Sequence, residues 1–156
     1  MMNKIFAVAA LIAMCFLFSL LFTSGREEST AVACKAHVSY LWGKERLDLF
    51  ISQSLHNGKG FLSVSGISYH SDNTKSYLDK SLSFSYHRNK DVYNFKSQMI
   101  MDSPQMTMSP SEEKRWFPEF FTNKGETLIL KIRPYGKNAW LFYAGTTPLF
   151  VCERNQ

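Results

Sequence analysis

From Glu45 to the C-terminus, apolar and polar residues alternate with a period of two, and clusters of turn residues interrupt the alternation at short intervals. Leu47, Leu49 and Ile51 alternate with Arg46, Asp48 and Phe50. Leu82, Phe84 and Tyr86 alternate with Ser81, Ser83, Ser85 and His87, and Leu128, Leu130 and Ile132 with Ile129, Lys131 and Arg133. A helix would repeat every 3.6 residues; a period of two belongs to antiparallel strands with one face in a core and the other in water. Aromatic residues make up 15% of the chain, which also favours strands.

Turn signals separate the strands at Asn57-Gly58-Lys59-Gly60, Ser71-Asp72-Asn73-Thr74, Asn89-Lys90-Asp91, Asn123-Lys124-Gly125, Tyr135-Gly136-Lys137-Asn138 and Thr146-Thr147-Pro148. They predict about eight strands, from Lys35–Trp42 to Leu149–Glu153, with neighbours in sequence adjacent in space. One segment departs from this. Ser109 at an N-cap, Pro110 at the first helical position and Glu112 two residues later form a capping box, and Pro118 ends the helix, which is predicted over Ser111–Phe117. The fold class is therefore mainly β: an antiparallel meander with one short helix, closed into a lipocalin-like or barrel-like domain to protect its edges. The alternative is an open sheet with the helix packed on one face.

Ahead of the strands, Ile5 to Thr23 carries no charge, with Lys4 before it and Arg26, Glu27 and Glu28 after it. At 1.5 Å per residue it spans about 28 Å, near the thickness of a bilayer core, and in lipid it can only be a helix. Ile5, Leu11, Phe16, Leu20 and Phe22 typify it. It reads either as an uncleaved anchor or as a signal peptide cleaved at Ala31-Val32-Ala33. The run is longer than a usual signal core, and the A-x-A lies well past it across three charges, which favours the anchor. The predicted layout is a cytoplasmic N-terminus over 1–4, a transmembrane anchor over 5–23, a tether over 24–32 and a periplasmic β domain over 33–156. Lys4 places the N-terminus inside by the positive-inside rule, giving a single-pass bacterial inner-membrane protein.

Cys15 lies within the apolar run, while Cys34 and Cys152 lie at the two ends of the exported part. A pair in an oxidising compartment predicts a disulfide, against the alternative of two buried thiols. Closing a loop of more than one hundred residues contributes about 4.7 kcal/mol in the chain-entropy model.

Little here points to chemistry. His37, His56, His70 and His87 have no partner at metal-ligand spacing and read as exposed strand residues. Gly58-Lys59-Gly60 lacks the spacing and following helix of a phosphate loop. No G-x-S-x-G elbow occurs, and Asp48, Asp79, Asp91 and Glu45 form no recognisable acid pair. The net charge of +5 is spread along the chain, which argues against direct nucleic-acid binding. No enzyme activity, metal or cofactor is expected. The dense apolar block outside the strands is Trp116-Phe117-Pro118-Glu119-Phe120-Phe121. It either plugs the core or barrel end, or offers Trp116, Phe117, Phe120 and Phe121 as a partner surface. The Met-rich stretch from Met99 to Met108 could line an adaptable surface beside it.

Several segments carry a family resemblance: the single N-terminal anchor; Cys34; Asn57-Gly58-Lys59-Gly60-Phe61-Leu62-Ser63-Val64-Ser65-Gly66; Asp102-Ser103-Pro104; Phe117-Pro118; and Pro148-Leu149-Phe150-Val151-Cys152. In these the chain resembles the FidL-like family of enterobacterial inner-membrane proteins and, more distantly, ToxS-like and Psa/Myf-type auxiliary proteins. The resemblance implies an accessory whose periplasmic domain binds and stabilises or modulates a membrane-anchored winged-helix transcription regulator. It supplies no catalytic residues. The competing expectation is a periplasmic barrel for a small apolar ligand, lipid or bile-like, lined by alternating Leu, Phe and Tyr. A plugged interior would favour the first and an open apolar interior the second.

Overall fold

A computed structural model describes residues 31–154. The chain forms eight strands: β1 (Val32–Trp42), β2 (Glu45–His56), β3 (Lys59–Tyr69), β4 (Lys75–Asn89), β5 (Val92–Asp102), β6 (Thr127–Tyr135), β7 (Ala139–Ala144) and β8 (Thr147–Arg154). A helix, α1 (Pro110–Trp116), and a 3-10 turn (Glu119–Phe121) lie between β5 and β6. Each strand pairs antiparallel with the next, and β8 returns to β1, so the sheet closes as a barrel. Closure sets aside the open-sheet alternative. The proposed anchor and Cys15 fall outside the described residues, among which no helix is long and apolar enough to cross a membrane.

The alternation read from the sequence sets the inward face. Leu47, Leu49, Ile51 and Leu55 of β2 point into the barrel, as do Leu62 and Val64 of β3, Leu78, Leu82 and Phe84 of β4, and Leu130 and Ile132 of β6. Burying each such side chain contributes about 1.5–3 kcal/mol relative to exposure. The β2–β3 hairpin turns on Asn57 and Gly58, both at positive φ (48° and 74°), the pattern that matches strand twist in a two-residue hairpin. Gly60 follows in β3, where a Cβ would fall 2.2 Å from the Phe84 ring, so only glycine lets that ring lie flat against the strand.

Two places depart from a regular ladder. β5 and β6 pair only over Val92–Lys96 and Thr127–Lys131. Beyond that the intervening segment folds inward, tied by Ser97 N–H to Glu126 O (3.0 Å) and Ser97 Oγ to Asn123 O (2.8 Å). The β1–β8 seam is shorter still, with Cys34 opposite Arg154 and Lys35 opposite Glu153. The Cys34–Cys152 disulfide, with Cα atoms 5.4 Å apart, holds that end of the seam.

The helix starts one residue earlier than the sequence suggests and has the predicted cap: Ser109 Oγ accepts from Glu112 N–H at 3.2 Å. The 3-10 turn was not anticipated, because a three-residue element has no period to read. Pro148 lies inside β8 and not in the turn before it. A β-bulge there and an unpaired outer edge spare it the ladder bond it cannot donate.

Candidate functional site

The connection between β5 and β6 caps the barrel end that also carries the β1–β2, β3–β4 and β7–β8 loops. Two adjacent acids of α1 fasten it. Glu113 reaches the interior and pairs with Lys80, an inward residue of β4; the side chains are 7% and 2% exposed. Lys80 Nζ also donates to Phe121 O (2.9 Å) and lies 3.2 Å from Asp102. Glu112 accepts from Ser76 Oγ (2.8 Å) and meets His70 Nε2 at 3.4 Å. His70 is therefore a half-buried neighbour of the cap and not an exposed strand residue. On the other side, Arg115 pairs with Glu45 (2.9 Å) and the Trp116 ring packs edge-on to Trp42 (6.0 Å).

The four aromatics singled out from the sequence face this interior. Phe120 is 2% exposed and packs against Phe84 (5.7 Å) and Phe95 (6.4 Å). Trp116, Phe117 and Phe121 are half-buried against the same core. The block is thus the plug of the barrel end. The plug does not fill the barrel. Below it lies a cavity of about 280 Å³. Its cap is Trp116, Phe117, Phe120 and Phe121, and its walls are aliphatic residues of β2, β3 and β6 together with Phe84 of β4 and Phe95 of β5. On the β8 side both Leu149 and Phe150 line it. Consecutive residues of a regular strand point to opposite faces; Leu149 is the extra residue of the bulge between Phe142 and Tyr143, which turns both inward.

Three residues of the lining bear polar groups, Gln53, Tyr40 and Trp116, and none of them carries charge. Burial pushes the Tyr40 phenol above its ordinary value, which keeps it neutral. Trp116 Nε1 is buried without a hydrogen-bond partner among the described residues. Among those residues no group of three or more His, Cys, Asp or Glu could hold a metal ion.

Beyond Lys35 the two seam strands separate, and β1 from Ala36 to Trp42 has no β8 partner. An open groove of about 580 Å³ runs there between Val38 on one side and Phe150 and Val151 on the other. Further along β1, Leu41 and Trp42 are 77% and 59% exposed. Leu149 and Phe150 border both groove and cavity.

Sequence reasoning passed over Gln53 and Lys80. Both were in phase with inward neighbours, Leu49 and Ile51 for one, Leu78 and Leu82 for the other, so a polar residue at an apolar phase was the available signal. The opening of the seam had no such signal.

A comparison with curated proteins finds no match for this chain. The family whose model matches carries a different name from the FidL-like proteins: it is described as the YqeJ C-terminal domain, and the match runs over residues 31–152. Since this covers well over half of the sequence and the whole barrel from β1 to Cys152, the chain belongs to the YqeJ C-terminal domain family.

Proposed function

We propose that the protein is a single-pass inner-membrane accessory whose periplasmic barrel binds, and so stabilises or modulates, a membrane-anchored winged-helix transcription regulator. The observation that carries the reading is the open half of β1. On the side away from β2, its edge from Ala36 to Trp42 pairs with no strand among the described residues, and it ends in exposed Leu41 and Trp42. A bare edge strand is a template for another chain, and strand addition lets main-chain hydrogen bonds give affinity while flanking pockets give specificity. The FidL-like resemblance supports the same role. A partner that binds the folded regulator stabilises it by mass action, and sharing one bilayer raises the effective concentration, so a modest interface suffices.

The test places a photo-crosslinking residue at Ser39 or Leu41 in the full chain, with Asn94 on the opposite side of the barrel as control. Capture of one single-span protein with a cytoplasmic DNA-binding domain from the β1 positions, and not from Asn94, is expected. Equal capture from all three positions, or none from β1, would remove the reading.

A second reading is favoured by the cavity: the barrel binds a small apolar ligand. The volume lies just below the range of about 300–1,000 Å³ usual for small-molecule sites, and its walls are aromatic and aliphatic. The readings are compatible, since the groove and the cavity share Leu149 and Phe150.

A further inference from the structure

The chemistry of the cavity narrows what it can hold. Its walls are apolar apart from Gln53, Tyr40 and Trp116. Gln53 is 6% exposed, faces the cavity from β2, and no side-chain hydrogen bond to it occurs among the described residues. A ligand group that bonds this amide adds a hydrogen bond worth about 0.5–1.5 kcal/mol. Gln53 lies opposite Cys34 in the β1–β2 register, at the end away from the cap, whereas Tyr40 lies opposite Leu47 near the cap.

No cation lines the cavity. The buried lysine, Lys80, is already engaged by Glu113, Asp102 and the Phe121 carbonyl. A carboxylate entering the cavity would have to shed its water with no opposite charge to meet. The volume holds about nine or ten non-hydrogen atoms at roughly 30 Å³ each.

We propose that the cavity takes a small, uncharged, chain-like molecule with one hydrogen-bonding group, of the class of medium-chain alcohols, aldehydes and esters, and that its polar end meets the Gln53 amide at the floor while its chain lies under the aromatic cap. This rests on the ligand-binding reading above and specifies its ligand.

The test uses the full chain in envelope membranes of cells that express it. Three diazirine-bearing probes are compared: an octane, an octanol and an octanoate, the last at pH 8. Labelled peptides are mapped by mass spectrometry and normalised to each probe's labelling of bulk lipid. The octane and octanol probes are expected to label cap and wall residues such as Phe117 and Leu149, with labelling competed by the unlabelled compound. The octanoate probe is expected to label them at least tenfold less than octanol. Gln53→Leu should cut octanol labelling about tenfold, the loss of one well-made hydrogen bond, and leave octane labelling intact, which also shows that the variant is folded. Octanoate labelling equal to octanol, or octanol labelling indifferent to Gln53→Leu, overturns the proposal while octane labelling keeps the ligand-binding reading. Absence of competed labelling by every probe overturns both.

Discussion

Replacing Lys80 by Met tests what holds the cap on the barrel. The Lys80 ammonium is 2% exposed and meets three acceptors, the Glu113 carboxylate, the Phe121 carbonyl and Asp102. Asp102 is 56% exposed and adds little, because solvent screens an exposed pair. Glu113 is different: with Lys80 gone, its carboxylate stays buried without a counter-ion. Removing one partner of a buried pair costs about 3–5 kcal/mol, so Lys80→Met should destabilise by about 4 kcal/mol. For a domain of this size that lowers Tm by roughly 10–20 °C. The double variant Lys80→Met/Glu113→Leu removes both charges and keeps an apolar fill, and such replacements are often neutral. It should recover about 3 kcal/mol relative to the sum of the single variants, measured by thermal and urea unfolding followed by near-UV circular dichroism. If Lys80→Met cost under about 1 kcal/mol, or the double variant simply added the two losses, the pair would not be the fastening described here.

Further outcomes follow from individual contacts. Phe120→Ala, in the cluster with Phe84 and Phe95, should cost about 3–5 kcal/mol in urea unfolding, whereas Leu41→Ser at the open rim should change stability by less than about 0.5 kcal/mol and abolish photo-capture from Ser39. Alkylation should label neither Cys34 nor Cys152 in the folded protein or in urea without reductant, and both should react in urea after reduction; labelling in urea before reduction would contradict the bond. Arg133 donates to Asp91 at 2.7 Å and holds its carboxyl below the usual range. A carboxyl depressed in the folded state adds stability above its unfolded value near 3.9 and loses it as pH falls through the folded value. The stability gap between the protein and Asp91→Asn should therefore be present at pH 7 and shrink as the pH falls below about 4. A gap that persists at pH 2 would point to a lost contact other than the charge.

Much of the barrel was legible because its cause is local. The period of two fixed which residues of β2, β4 and β6 face inward, and Asn57-Gly58 marked a hairpin by backbone conformation alone. The helix was legible from its cap, Ser109 with Glu112. What escaped depends on contacts far apart in sequence. Lys80 and Glu113 are 33 residues apart, and nothing in either segment names the other. The bulge that turns Leu149 and Phe150 inward together is invisible to strict alternation, as is the point at which β1 and β8 separate. The aromatic block was recognised with two readings open, and burial of Phe120 assigns it to the plug.

The disulfide has a consequence beyond stability. Cys34 is the third residue of β1 and Cys152 stands two before the end of β8, a sequence separation of 118. Nearly the whole barrel is therefore a covalent circle. A protease that cuts any loop of that circle opens a ring and releases no fragment. Tension applied between Val32 and Arg154 would run through one sulfur–sulfur link and leave strands β2 to β7 unloaded. Breakdown of the domain then needs two cuts, or one cut and a reductant.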